Sequence, residues 1–414
     1  MISFDRFKLN NGLQVLVHHD KTTPMVAVNV LYQVGSRDED PDKTGFAHLF
    51  EHLMFGGSVN IPKFDEPLQK AGGQNNAFTN SDFTNYYITL PKTSLETAFW
   101  LESDRMLSLA FSPKSLEVQR QVVIEEFKQN YLNQPYGDVY LLLKPLVYKK
   151  HPYRWNTIGK DISHIEKATM QDVKAFYKRY YNPNDAILCV AGNVETENIK
   201  QLAEKWFGEI PAGEEISHHY PAEPEQTEAC SLTVERDVPQ DAFYMAWRMP
   251  KRTDKNYYAC DLLSDILSNG NSSRLFQQLV KEKQLLSEVN AYITGELDGG
   301  MFLVTGKLYP QVTFAEAEEA VMQELRKMTT KKVSEEELQK VKNKVEAALV
   351  FSEISVLGRA MALSYYEMLG DAEKFNAEVE NYLAVQAEDI RKAAAILFQP
   401  NKKNVLYYKA KKKA

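Results

Sequence analysis

The sequence predicts an α+β fold, an α/β sandwich of two duplicated domains, each a mainly antiparallel sheet with helices packed on it. Each half of the chain opens with segments that alternate apolar and polar residues, as half-buried strands do. Amphipathic helical patterns follow these segments, and the same order of elements occurs twice. The length of 414 residues agrees with this prediction, since it suggests two to three domains.

The elements of the first half follow from periodicity and from turn residues. Residues 13–19 and 25–34 alternate and are predicted strands. A helix is predicted over 45–55, because the Gly56-Gly57 pair ends the apolar pattern there. The other predicted elements of this half are paired strands near 75–79 and 84–90, three longer helices, an apolar strand at 186–191 and a helix near 196–206.

A linker is predicted between the two halves. Residues 213–228 are polar, acidic and proline-containing, and they have no period of their own. We therefore predict an N-terminal domain at 1–212 and a homologous C-terminal domain at 229–414. The predicted elements of the second domain are strands near 229–236 and 241–248, a helix from about residue 255, paired strands near 287–308, helices from 314 to about 398 and a last strand at 404–408.

The duplication is clearest in one pair of predicted helices. GFAHLFEHLMFGG (45–57) and YYACDLLSDILSN (257–269) occupy the same place in their halves, as do 118–127 and 337–347. The second copy does not repeat the H-x-x-E-H motif where the first has His48, Glu51 and His52. The matching residues are Cys260, Leu263 and Ser264. The chemistry of these side chains therefore belongs to the first domain.

Composition narrows the classes of partner. The formal net charge of −7 argues against a nucleic acid or an anionic membrane as the main partner. The lysines at 409 and 411–413 are a local exception, and we predict that they form a solvated end. No apolar stretch approaches the roughly 18 to 20 residues of a membrane-spanning helix, and the first residues do not resemble a signal peptide. The three cysteines form no disulfide or metal pattern, which favours a cytoplasmic location, or a periplasmic one if a leader was removed.

A metal site is predicted in the first domain. Residues 48–52 are His-Leu-Phe-Glu-His, and helical positions four apart share a face, so His48 and His52 can bind one zinc ion. Glu51 borders that face and is placed to act as catalytic base toward an attacking water. The alternative is two ordinary histidines on an amphipathic helix. The position of the motif after a strand pair, among apolar neighbours, favours the metal site and makes the first domain the catalytic one.

A third ligand must come from elsewhere, because a catalytic zinc usually has three protein ligands. Glu125 and Glu126 are the candidates, both in the helix predicted over 116–127. At about 100° per residue, the apolar positions define a buried arc of roughly 240° that contains Glu126 and excludes Glu125. The arc is defined by Leu116, Val118, Val122, Val123, Ile124, Phe127 and Tyr131. An inward carboxylate is costly unless it is paired or bound to metal, so Glu126 is chosen.

The sequence resembles a known family at this point. H-x-x-E-H is the motif of the inverzincins. The chain is similar to the pitrilysin/insulinase family of zinc peptidases and, in its length, to the mitochondrial-processing-peptidase branch and its bacterial relatives. The segments that carry the resemblance are GFAHLFEHLMFGGS (45–58), GGQNNAFTNSDFTNYY (72–87), RQVVIEEF (120–127), YYNPNDAILCVAGNV (180–194) and SSRLFQQLVKEK (272–283).

The resemblance implies a fold, a ligand and a substrate site. The family has two similar domains that face each other around an enclosed chamber for unfolded peptides. Its third zinc ligand is a glutamate that matches Glu126, in agreement with the helical wheel. The segment that matches Asn76, Ala77 and Phe78 is an edge strand that binds extended substrate, and backbone pairing of this kind demands little of the substrate sequence. The alternative for these three residues is a plain edge strand.

The chain also departs from the family. A further glutamate that many relatives carry is Gln119 here, which cannot act as a charged neighbour of the metal site. Active single-site members hold the substrate carbonyl with an Arg and a Tyr, and the matching residues here are Lys281 and Glu288. We therefore expect a heterodimer in which this chain bears the metal and a paralogous subunit without metal supplies the missing pair. A homodimer with weakened activity is the alternative.

The leading functional prediction is thus a zinc metallo-endopeptidase that hydrolyses unfolded peptides, with Zn²⁺ as its cofactor. A non-catalytic assembly subunit of the same fold is the alternative, although such subunits usually have degraded metal motifs. A hydrolase for a small non-peptide substrate would be compatible with the same metal chemistry.

Overall fold

The computed structural model describes residues 1–411 and divides them into two compact units. The first unit contains 1–127, 155–220 and 350–377; the second contains 128–154, 221–349 and 378–414, as far as residue 411 is described. Two segments are exchanged relative to the predicted domains 1–212 and 229–414. Residues 128–154 belong to the second unit rather than the first, and residues 350–377 belong to the first unit rather than the second. Two of the predicted C-terminal lysines, Lys412 and Lys413, lie outside the described residues.

The first unit is built on a six-stranded sheet with the order β1-β2-β6-β3-β5-β4. All neighbouring strands are antiparallel except β2 and β6, which are parallel. The strand β1 was not predicted, and the others lie where the alternating or apolar patterns placed them. The strands are β1 Asp5–Lys8, β2 Gln14–His19, β3 Met25–Tyr32, β4 Gln74–Thr79, β5 Thr84–Pro91 and β6 Ala186–Gly192.

The second unit contains a five-stranded sheet with the order β7-β11-β8-β10-β9. Only β7 and β11 are parallel. Strand by strand this order repeats that of the first sheet without β1, and β4 and β9 occupy equivalent edges. The strands are β7 Cys230–Arg236, β8 Ala242–Arg248, β9 Leu286–Ile293, β10 Met301–Leu308 and β11 Asn404–Ala410. The predicted fold of two duplicated, mainly antiparallel α+β domains is confirmed.

Helices cover both sheets. They are α1 Phe46–Leu53, α2 Asp65–Lys70, α3 Leu95–Leu107, α4 Pro113–Phe127, α5 Val139–Val147, α6 Ile162–Glu166, α7 Met170–Tyr180, α8 Thr196–Phe207, α9 Asn256–Ser268, α10 Phe314–Thr330, α11 Glu335–Ser352, α12 Val356–Met368, α13 Glu378–Ala384 and α14 Ala387–Leu397. Within residues 1–411, no single helix is long and apolar enough to cross a membrane.

The exchanged segments each supply a helix that covers a sheet. In the first unit, α12 packs on β3 and β6, and Leu363 of this helix shares an apolar core with Leu31 and Ile187. In the second unit, α5 packs on β8 and β11, where Leu143 joins a core with Leu406. Because both faces of the central strands are covered, those strands are apolar on both sides, as the run Ala186–Gly192 is.

Candidate metal centre

The helix α1 presents the predicted motif on one side and packs with the other. Phe46, Leu49, Phe50 and Leu53 of this helix are buried. The helix begins after Gly45, whose φ of 91° favours glycine and where a Cβ atom would lie 2.8 Å from the carbonyl oxygen of Ile158. An eight-residue helix of this kind is held mainly by its apolar face, which leaves the polar face free for ligands.

A buried carboxylate caps the start of α1. The two oxygens of Glu39 each accept a hydrogen bond of 2.9 Å, one from the backbone N–H of Gly45 and one from that of Ala47. These N–H groups have no partner within the helix, and a carboxylate at this end is favoured by the helix dipole. Glu39 therefore fixes the first turn of the helix that carries the motif.

The three predicted ligands converge. The Nε2 atoms of His48 and His52 are 3.3 Å apart, and the Oε2 atom of Glu126 is 3.7 Å from the first and 3.4 Å from the second. Within residues 1–411, these residues form the only group of His, Cys, Asp and Glu side chains whose ligand atoms are close enough to share a metal ion.

The triangle of ligand atoms has the size that zinc requires. Zinc binds nitrogen at about 2.0–2.1 Å and carboxylate oxygen at about 2.0–2.2 Å in tetrahedral geometry, so two ligand atoms of one ion lie roughly 3.3–3.5 Å apart. The observed separations of 3.3, 3.4 and 3.7 Å are close to this edge length. Two imidazole nitrogens and one carboxylate also match the donor set of catalytic zinc sites and leave a fourth position. The residues present fit the ion.

The protonation state of His48 suits metal binding. Its side chain is only 15% exposed, and this burial lowers the pKa of the imidazole to about 4, with His52 acting in the same direction. The ring is therefore neutral at physiological pH, which is the form that binds metals.

Glu51 lies beside the triangle rather than in it. Burial raises the pKa of its carboxyl group, while the backbone and side chain of Thr79 in β4 and the charge of His52 act in the opposite direction. A carboxylate that is partly desolvated holds a proton more readily than one in water, as a general base must during the reaction. The structure thus places Glu51 between the histidines and the edge strand.

The predicted choice of Glu126 over Glu125 agrees with the geometry, but one step of the argument was wrong. Glu126 is half-buried and Glu125 is exposed. However, Val118 and Val122 were placed in the buried arc, and they are 49% and 44% exposed. The arc is narrower because α4 packs mainly against α1 and α6, which leaves one side of the helix open to solvent.

Comparisons with known proteins give the family. Residues 14–151 match the family described as insulinase (peptidase family M16), and residues 167–345 match the peptidase M16 inactive domain. A protein named zinc protease PqqE from Helicobacter pylori is 30% identical over 407 residues, which cover 97% of this chain and 91% of that protein. The chain belongs to peptidase family M16.

Further M16 relatives agree with this assignment. An uncharacterized zinc protease, YmxG of Bacillus subtilis, is 26% identical and covers 95% of both chains. Among solved structures, a protease from Helicobacter pylori is 29% identical with a TM-score of 0.93, covering 99% of this chain and all of that chain. Pitrilysin shares the fold, with a TM-score of 0.79 at 17% identity over 45% of its length. The predicted pitrilysin/insulinase family is confirmed, whereas the mitochondrial-processing-peptidase branch stays a prediction.

The predicted substrate strand of this M16 chain is a sheet edge. Among the described residues, β4 pairs only with β5. The backbone N–H of Ala77 donates to the side-chain oxygen of its own neighbour Asn76 at 2.8 Å, so this N–H is on the free side of the strand. Phe78 is exposed and packs edge-to-face on Phe83, with 5.7 Å between ring centroids. The three residues are therefore accessible, and their contact with substrate stays a prediction.

The residues that depart from the family pattern have different local surroundings. Gln119 is half-buried on α4. The ammonium of Lys281 lies 5.6 Å from the ring centre of Phe276, and Glu288 forms an ion pair of 2.8 Å with Lys307. Neither residue reproduces an arginine or a tyrosine.

His18 and His218 have partners other than a metal. The ring of His18 contacts the carbonyl oxygen of Ser3 at 2.7 Å, and His218 lies 3.1 Å from Asp38 and 3.4 Å from Asp185.

Two residues of the site were missed in the sequence. Glu39 and Thr79 contact α1 through the fold rather than through a local pattern, and the capping carboxylate lies six residues before the glycine that it binds. The usual capping signal is a side chain directly at the helix start. Only the position of an acidic residue shortly before the helix glycine could have suggested Glu39.

Proposed function

We propose that this chain is a zinc metallo-endopeptidase that hydrolyses unfolded peptides. The observation that carries the proposal is the triangle of His48, His52 and Glu126, which has the dimensions of a zinc site and lies beside Glu51. The relatives named zinc proteases support it. The enclosed chamber that the family resemblance implies stays a prediction.

The protein residues have separate roles in this proposal. Zinc, when bound, would polarise the substrate carbonyl and make water more acidic. Glu51 takes a proton from the attacking water while the water oxygen bonds to the carbonyl carbon. Glu51 then gives this proton to the nitrogen of the leaving amine as the carbon–nitrogen bond breaks. The pKa of Glu51, raised by burial, allows the carboxylate to hold the proton between the two steps.

The edge of β4 would hold the substrate in an extended conformation. The N–H of Ala77 lies on the free side of the strand, and antiparallel pairing alternates, so Asn75 and Thr79 present their backbone groups on that side as well. The helix α1, which carries Glu51, packs on β4, so a peptide paired with this edge runs past the catalytic helix. Backbone pairing explains how a site could accept unfolded chains of varied sequence.

We also propose a heterodimer in which a paralogous subunit without metal completes the site. The proposal rests on Lys281 and Glu288, since a lysine and an ion-paired glutamate replace the family's arginine and tyrosine. A homodimer of reduced activity is the competing arrangement. The non-catalytic assembly subunit remains the second candidate, because the same two positions depart from the pattern of active members.

The catalytic proposal is tested by Glu51→Gln. The amide keeps the shape of the side chain but cannot take a proton, so peptide hydrolysis should fall by on the order of 10²–10⁴-fold. Zinc content should stay at the level of the unaltered chain, and Glu66→Gln on α2 is the control for an exposed glutamate. Equal hydrolysis by the two variants would contradict the role of Glu51. Absence of zinc from the gently purified chain would favour the assembly subunit.

The partner proposal needs a second experiment. The chain is purified alone and together with a co-expressed paralogue, and hydrolysis of an unstructured peptide is compared at equal zinc content. We expect activity mainly in the pair. Full activity of the lone chain would overturn the heterodimer, and sedimentation of that lone chain would show whether it is a homodimer.

A further inference from the structure

We propose that Val118 and Val122 of α4 are specificity-determining residues that contact substrate side chains and favour cleavage beside a large apolar residue. The proposal rests on the peptidase function proposed above. It concerns which substrate side chains this chain prefers. Neither the metal ligands nor the edge strand determines this preference, because both act on backbone groups of the substrate.

The two valines form a stripe that leads to the metal ligands. Val118, Val122 and Glu126 are spaced four residues apart, so they lie on one side of the helix with about 6 Å of axial rise between neighbours. The stripe ends at the carboxylate whose oxygen is 3.4 Å from His52. Val122 is therefore about one helical turn from a metal ligand.

The exposure of these valines is not explained by packing. The buried side of α4 consists of Leu116, Val123, Ile124 and Phe127. Val118 and Val122 are 49% and 44% exposed instead. Valine is a poorer helix former than alanine, lysine or glutamate, so an exposed pair lowers helix stability without a packing gain. Single exposed apolar residues are common, but an aligned pair beside a ligand set is a candidate contact surface.

Two uncharged side chains lie next to the valines on the side of the ligand. Ser115 and Gln119 are uncharged and half-buried, whereas the exposed Glu125 and Lys114 border the valines on the other side. Against the two valine side chains themselves, a charged substrate residue would lose water without gaining a partner, whereas an apolar residue would be favoured by burial. This is the reason for assigning apolar rather than acidic or basic substrate side chains.

The topology brings a substrate to this surface. A peptide paired with β4 extends the sheet by one strand, and its side chains point alternately to the two faces. The helix α1 packs on β4 from one of these faces, and α4 packs on α1 and α6. Alternate substrate side chains therefore point toward α1, the helix on which α4 packs.

The experiment compares two peptides that differ only in the residue beside the scissile bond, leucine in one and lysine in the other. We expect the unaltered protein, with its partner if one is required, to favour the leucine peptide in kcat/KM by at least about tenfold. The double variant Val118→Thr, Val122→Thr keeps the side-chain shape and should reduce this preference to within about threefold. Val122→Glu should shift the preference toward lysine. Ile396→Thr, at an exposed apolar residue of α14, is the matched control and should leave the ratio unchanged.

Zinc content and the melting temperature are measured for every variant, so that loss of metal or of folding is separated from loss of selectivity. An unchanged ratio in both valine variants would overturn the proposal. If no form hydrolyses either peptide, the peptidase function fails, and the same peptides labelled with a fluorophore are tested for binding to the Glu51→Gln form. Tighter binding of the leucine peptide that the double variant loses supports the contact. Equal or absent binding refutes it.

Discussion

The two units share one strand order but treat equivalent helices differently. In the first unit, α1 is short, and it leaves two side chains partly exposed: that of His48 by 15% and that of His52 by 25%. In the second, α9 is longer, and the residues at the matching positions, Cys260, Leu263 and Ser264, are all buried. The duplicated scaffold thus supplies a helix beside an edge strand in each unit. In the second unit the open side of that helix carries Asp261 and Asp265 beside a cavity, while the positions that match the motif are buried.

The helix starts differ as well. The buried carboxylate of Glu39 binds two backbone N–H groups at the start of α1, whereas at the start of α9 the carboxylate of the exposed Asp254 binds one backbone N–H group, that of Asn256. A metal site needs its ligands fixed within a fraction of an ångström, and a packed core helix does not. The comparison indicates that precision in the first unit comes from the cap as well as from the core.

The largest expected effect removes the ligand that links α4 to α1. Glu126→Gln should lower zinc affinity by at least about 100-fold, since even residues that only support a ligand contribute 10–100-fold. Glu125→Gln, one residue away on the exposed side, should have little effect. Competition against a zinc-sensitive dye measures both, and equal affinities would place the third ligand elsewhere.

Replacing the capping residue Glu39 should remove the difference between the starts of α1 and α9. Glu39→Gln leaves one of two buried N–H groups facing an amide N–H, which we expect to cost about 2–3 kcal/mol of unfolding free energy. Zinc affinity should also fall, by about tenfold, because His48 lies in the following turn. Lys255→Ala at the start of α9 should change the unfolding free energy by less than about 0.5 kcal/mol. Denaturant unfolding and zinc titration are the measurements, and a loss of stability with unchanged zinc affinity would make Glu39 a purely structural residue.

The two edge strands offer a matched test of substrate pairing. Ala77→Pro removes an N–H from the free side of β4 without removing a bond to β5. If that N–H binds substrate, kcat/KM should fall roughly tenfold, the equivalent of one hydrogen bond. Ala291→Pro is the counterpart in the edge strand β9 and should leave kcat/KM unchanged. Equal losses in both variants would mean that the edges are not functionally distinct.

The smallest expected effect concerns two residues of the predicted linker, His218 and Glu223, each of which binds groups of its own unit. His218 binds Asp38 and Asp185 in the first unit, and these carboxylates raise its pKa to about 9. In the second unit, Glu223 accepts hydrogen bonds from three backbone N–H groups instead.

A raised pKa stabilises the folded state below the unfolded value near 6.5, and this stabilisation is lost as the pH rises through about 9. His218→Gln should therefore cost about 1–2 kcal/mol at pH 6 and almost nothing at pH 10. Unfolding by urea at both pH values checks this, and a pH-independent difference would show that the charge of His218 does not matter.

Much of the candidate site could be predicted because it is encoded locally. A spacing of four residues places His48 and His52 on the same side of any helix. On the second helix, the pattern of apolar residues selects Glu126, on the inner side, over its neighbour Glu125. The error at Val118 and Val122 shows the limit of the same method. A helical wheel gives the directions of side chains, but it does not show where a neighbouring helix lies.

The sequence by itself determined the duplicated fold, the strand patterns and the pair of histidines, because periodicity and spacing act over a few residues. The tertiary structure alone decided that α5 and α12 are exchanged between the units and that Glu39 caps α1. It also decided that the Glu126 carboxylate lies 3.4 Å from His52. These contacts join residues that are distant along the chain or lie across a turn, and they form only when packing of apolar faces brings the elements together.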